Sequence, residues 1–531
     1  NVALGNTALD SNVSGVRITA IGSQALTANT ASDNTAIGAR AMASTTSGAN
    51  NVAVGRDSMF TNSTGAENVS VGLNTMYYNT TGANNTALGR SALQATTNTT
   101  ASNNTAIGRG ALQLNTTGGD NTALGFTALD SNTTGASNVS LGSYSLSANT
   151  TGGTNVAVGD AALLSNTTAS NNVAVGKDSL RANTTASENT AVGYRTLYQN
   201  TTGTANTANG YVSLYSNTTG NYNTAYGYDS LSSNTTASSN TATGYQALKA
   251  NTTGTENTAF GQQALYTNTV GREIHAAGRK ALFANTNGSY NTASGATALS
   301  ANTTGSSNTA SGYRALYSNT TASNNTAVGY QAAYANTTGT DITAVGYNAL
   351  QDATGGYNTA VGTRAAAALT SGTFNTALGR DSLAGVVTGT GNVAAGNAAL
   401  AANTSGSNNI AIGRDALGSN TTAGSNTAVG YQSLYTNSTG TFNTALGYQA
   451  LRTSSTANYL TAVGYQALYS NSSGQFNTSL GWKAATLLTS GNDNTALGHN
   501  SMSAATTSSN TVSIGADACR FLTTGNYNVA V

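Results

Sequence analysis

Asn426-Thr427-Ala428-Val429-Gly430, with Leu434 four residues beyond the glycine, is one copy of a unit that recurs along the whole chain. Its glycine has 31 equivalents, Gly5, Gly72, Gly193, Gly430 and Gly464 among them, and 27 of the 30 intervals between them are 17 residues long. The exceptions are 16 residues from Gly22 to Gly38, 19 from Gly89 to Gly108 and 16 from Gly346 to Gly362. Length alone would suggest about three domains. A period this strict overrides that estimate and makes residues 1–531 a single uninterrupted array of about 31 rungs.

Taking the glycine as position zero, −3 is nearly always Thr or Val, −2 is Ala or Ser in every repeat, and −1 is usually Val, Ile or Leu. β-Branched residues suit a strand, and alternation puts −3 and −1 on one face and −2 on the other. A face that admits only Ala or Ser must lie against something close, so the strand is expected to be buried on both sides. Position +3 is small throughout, and +4 holds Leu in 23 of 31 repeats, including Leu214, Leu248, Leu434 and Leu468. The only Met residues (Met42, Met59, Met76 and Met502) and the only Cys, Cys519, occupy the same slot, which reads as core. Cys519 is then a buried structural thiol. Asn-Thr-Thr-Gly, around +7 to +10, reads as turn chemistry.

The unit is thus a short strand, a glycine bend, a second short strand and a polar turn. It predicts an all-β fold, a parallel β-solenoid of 17-residue rungs with two short strands per rung. At one strand spacing per rung, the array would be about 150 Å long. The small −2 face asks for a partner, and three chains around a common axis would cover it.

The motif from Asn426 to Gly430, with Leu at +4, resembles the head repeats of trimeric autotransporter adhesins. It is closer still to the NTA(V/I/L)G-type repeats of phage tail fibres and large bacterial surface proteins, and the resemblance covers all 531 residues. It implies a left-handed parallel β-roll, a homotrimer, and a shaft or adhesive role outside the cell. The repeat here is longer than the adhesin-head unit, which places the extra residues in the outer strand and turn. Because the sequence opens and closes inside a repeat, the expectation is a fragment of a longer fibre lacking both terminal domains. Its receptor-binding tip would lie outside this sequence.

Charged residues make up 7% of the chain with a net charge of +1, which offers no phosphate-binding surface and no nucleic-acid partner. No apolar run approaches the length that spans a membrane. Proline is absent, as suits long backbone ladders. His275 and His499 are the only histidines and lie far apart, and no Ser-His-Asp set or metal-ligand spacing appears, so no enzyme and no cofactor is expected. His275 occupies a −3 slot, where three chains would bring three imidazoles into an axial ring able to hold a metal. A single degenerate rung is the plainer account.

Aromatic residues form two columns. Position +1 carries Tyr194, Tyr211, Tyr228 and Tyr245, then Tyr431, Tyr448, Tyr465 and Trp482; position +5 carries Tyr198, Tyr215, Tyr317, Tyr334 and others. Such columns read as stabilising ladders, with glycans as candidate partners. Seven successive repeats, from Asn209 to Ser311, lack Val, Ile or Leu at −1 while keeping Leu at +4, which suggests that −1 lines an inter-chain axis. The function expected is the structural shaft of a homotrimeric extracellular fibre on a virion or bacterial cell surface. The rivals are a self-assembling filament or matrix protein and an ice-binding solenoid. The last is disfavoured because the regular Thr reads as buried.

Overall fold

The computed structural model describes residues 1–531 except 98 and 386. Among the described residues there is no helix, and each repeat contributes one strand to a parallel β-solenoid. The chain divides into two units, 1–270 and 271–531, built alike. The first carries sixteen strands, from β1 (Val2–Leu4) to β16 (Thr258–Phe260); the second carries sixteen, from β17 (His275–Ala277) to β32 (Val529–Ala530). Within each unit successive strands pair in parallel and in register. Val156, Ala157 and Val158 lie opposite Val173, Ala174 and Val175. Thr427, Ala428 and Val429 lie opposite Thr444, Ala445 and Leu446.

Among the described residues the second strand expected in each rung is absent. In its place is a turn in which alternate residues take the left-handed conformation, as at Gln432 (φ 51°) and Leu434 (φ 51°). Hydrogen bonding between rungs explains the alternation. The +2 amide donates to the rung before (Gln466 N to Tyr448 O, 2.9 Å), whereas the +4 amide donates to the rung after (Leu434 N to Ala450 O, 2.9 Å). The turn therefore keeps its backbone groups paired while the chain reverses. A left-handed leucine costs about 1–2 kcal/mol, and burying its side chain returns about 1.5–3 kcal/mol. The two nearly cancel, so the rung-to-rung backbone bonds decide the balance.

The sequence places the core correctly at +4 but misassigns the −2 face. In the rung of Gly430, the residues at −4, −2, +3, +4 and +7 (Asn426, Ala428, Ser433, Leu434 and Asn437) are all fully buried within the one chain. Position −2 packs against this coil's own +3, as the hydrogen bond between Ser140 Oγ and Ser145 Oγ at 2.5 Å shows. The −2 residue is small because the coil is thin, and no second chain is needed to cover it. The strand is therefore not buried on both sides: −3 and −1 point outward and stay half-exposed or exposed.

The asparagines at −4 and at +7, the latter read as turn formers, are core residues. At −4, Asn443 donates its backbone amide to Asn426 Oδ1 (2.9 Å) and its side-chain amide to Ala457 O (2.8 Å). At +7, Asn437 Nδ2 donates to Asn420 Oδ1 at 3.1 Å and to Gly440 O at 2.9 Å. Asn426 Nδ2 donates to the same Gly440 carbonyl at 2.9 Å, so two amides clamp one buried oxygen. Two ladders of amides thus replace the apolar filling that a wider solenoid would use.

The glycine corner fixes the spacing. Gly430 has φ +131°, and a Cβ built there would lie 2.4 Å from the carbonyl oxygen of Gly447 in the next rung. Conformation and contact both exclude a side chain. Cys519 occupies the +4 slot and is half-buried.

Two predictions follow from these stacks. Gly430→Ala should cost about 3 kcal/mol, read as a local loss of amide protection in neighbouring rungs by hydrogen exchange. The +7 ladder breaks at Ser454 and again at Leu488, leaving Asn437 Oδ1 and both amide atoms of Asn471 buried without partners. Ser454→Asn should reconnect the ladder and stabilise these rungs by about 1–2 kcal/mol, measured by denaturant titration against the parent chain.

Candidate interaction surfaces

With the interior filled by invariant small residues, amides and leucine, all chemical variety lies at the outward positions. On the strands, −3 and −1 form two parallel columns. The −1 column is aliphatic from Leu4 to Val192 and again from Val328 to Ile514. Its larger members are strongly exposed, Leu446 by 46% and Leu480 by 44%. The Thr column at −3 also faces outward, which removes the reason given above for setting ice binding aside. What that surface lacks is a second hydroxyl column, because −1 is aliphatic. His275 stands exposed in the −3 column, and among the described residues no three His, Cys, Asp or Glu side chains gather into a metal-binding group. No helix is long and apolar enough to cross a membrane.

The aromatic columns stack as the sequence predicts. At +1, Tyr194, Tyr211, Tyr228 and Tyr245 follow one another with ring centroids 5.2, 5.1 and 5.4 Å apart. Tyr431, Tyr448, Tyr465 and Trp482 do the same, and His499 caps the indole at 4.8 Å. At +5, Tyr198 stacks on Tyr215 at 5.1 Å. Within a column each ring face is spent on its neighbour. Only edges and hydroxyls remain for a ligand, except where a column ends.

Two features escaped the sequence reading. One is a third aromatic column at −5, in which Phe442, Tyr459 and Phe476 stack at 5.3 and 5.1 Å and are each more than half exposed. Its signal was present, since aromatics recur there at the repeat period, but −5 lies in a stretch read as featureless polar turn. The other is a groove between the +1 and +5 columns, built by turn residues after the glycine. One widening of it, about 310 Å³, is lined by Tyr211, Tyr215, Asp229 and Ser232 among others.

Charges in this groove are paired. Arg195 Nε lies 3.3 Å from Asp178, and the guanidinium sits over the rings of Tyr194 and Tyr198 at 5.0 and 5.4 Å. Lys249 Nζ lies 2.7 Å from Asp229, whose side chain is only 14% exposed. Burial pushes the Asp229 carboxyl up, but hydrogen bonds from Lys249, Ser232 and Gln246 outweigh it and hold the group below the ordinary 3.8. No protein-family model matches the chain, and no curated protein matches its sequence.

A depressed folded-state pKa stabilises the fold above the unfolded value and loses that stabilisation as pH falls through the folded value. The rungs around Asp229 should therefore hold their amide protection down to about pH 4 and lose part of it below that. Asp229→Asn should be less stable at neutral pH and lack this acid step, as followed by hydrogen exchange across a pH series.

Proposed function

We propose that the chain is the shaft of a homotrimeric extracellular fibre, on a virion or a bacterial cell surface, that holds a host- or surface-binding tip away from its base. The observation that carries this reading is the outward strand face. Scattered exposed leucines need no explanation, but a column of them at one strand spacing is a contiguous apolar patch. Covering it over twelve rungs would exceed the roughly 1,000 Å² that a specific interface needs. The partner offering the same periodicity over the same length is another copy of this chain. Three copies and a left-handed coil are what the resemblance of the Asn-Thr-Ala-Val-Gly repeat supports. On this reading −1 lines the axis, and the stretch from Asn209 to Ser311 makes part of that axis polar. Its work is mechanical, since backbone ladders repeated at each rung resist bending and unravelling.

Sedimentation equilibrium of the parent should give three copies of the 52.8 kDa chain. The double variant Leu446→Lys, Leu480→Lys should weaken assembly at least tenfold while leaving strand content by circular dichroism unchanged. A parent that sediments as a monomer at micromolar concentration would overturn the reading.

A further inference from the structure

The Tyr198–Tyr215 stack of the +5 column ends inside the first unit, and its end leaves a ring face free beside a cavity. Tyr215 stacks one face on Tyr198 at an interplanar angle of 2°. In the next rung the +5 residue is Ser232, so no ring covers the other face. Elsewhere a comparable gap is filled: between Tyr435 and Tyr469 stands Arg452, its guanidinium 5.7 and 5.8 Å from the two rings. Over Tyr215 there is instead the cavity of about 310 Å³, within the size range of small-ligand sites.

The polar groups around this ring suit a neutral, hydroxyl-rich ligand. The Asp229 carboxylate is fixed by Lys249 at 2.7 Å and by Gln246 Nε2 at 3.2 Å, which orients it and neutralises its charge. Arg195 is likewise committed to Asp178. Neither charge is left to demand a counter-ion, yet the carboxylate oxygens keep acceptor capacity for hydroxyl donors. Ser216 and Ser233 add hydroxyls at the rim, and Tyr211 forms the facing wall. A flat apolar platform beside an oriented carboxylate and hydroxyls matches a pyranose, which has one C–H face and a ring of hydroxyls.

We propose that the groove over Tyr215 is a saccharide-binding site that takes a neutral pyranose of an oligo- or polysaccharide, stacked on the free ring face and hydrogen-bonded to Asp229. This is a binding activity of the repeat array itself, independent of any tip and of how many chains assemble.

Ser232→Tyr is the deciding variant, because it continues the Tyr198–Tyr215 ladder and so closes the platform, the added stacking offsetting the lost hydrogen bond from Ser232 to Asp229. The probe is an array printed with neutral gluco-, galacto-, manno- and N-acetylhexosamine oligosaccharides, with sialylated and sulfated ones alongside. The parent should bind at least one neutral glycan, and both Tyr215→Ala and Ser232→Tyr should bind it at least tenfold more weakly, with the melting temperature of Ser232→Tyr no lower than the parent's. Absence of parent binding to every neutral glycan, binding confined to the acidic ones, or undiminished binding by Ser232→Tyr would overturn the proposal.

Discussion

The constraint on which the rest depends is the stacking of like on like at one strand spacing. Most backbone groups in strand and turn pair with partners one rung away, so whatever stands at a position must tolerate a copy of itself above and below. Glycine at the corner satisfies this because the Gly430 backbone lies against the Gly447 carbonyl with no room for a Cβ. Leucine at +4 satisfies it by surface burial, asparagine by donating from Nδ2 to the Oδ1 of the rung before. A residue able to bond only itself to water would leave a column of unpaired groups.

That rule explains an interior that is unusual in being so polar. A coil of 17 residues encloses little volume, and two of its inward positions carry primary amides. Buried Asn side chains donate along the stack and accept from the next rung, so the ladder extends until a member is missing. Where Ser454 replaces Asn, the loss falls on three rungs, because Asn437 and Asn471 both depend on the residue between them. The arrangement is cooperative along the stack, and a single break costs more than one bond.

Period, glycine corner, the leucine column and strand direction were legible in the sequence because each is a strict rule at a fixed offset. Positions that admit several residues for one physical reason were harder to read. Left-handed turn residues such as Gln432 and Leu434 carry no glycine signal, since hydrogen bonds between rungs enforce a conformation their side chains do not favour. Hence the turn reads in the sequence as a second strand. The asparagines at +7 read as local turn chemistry because that is their usual role. The recurrence of Asn at both −4 and +7 was the sign of a ladder. The small −2 residue was assigned to an inter-chain contact because its true neighbour, +3 of the same coil, comes near only after the turn has closed.

The same stacking rule separates scaffold from function. Inward positions are fixed, so they carry no information beyond the fold. Outward positions are free, and within them a continued column is self-satisfying: an uninterrupted run of tyrosines spends its faces on itself and offers only edges. A ligand site therefore arises where a column stops, because the terminal residue keeps an unmatched face. The end of the +5 column at Tyr215 meets that condition beside a fixed carboxylate. In an array this regular, the irregular rungs are where chemical specificity has room to exist.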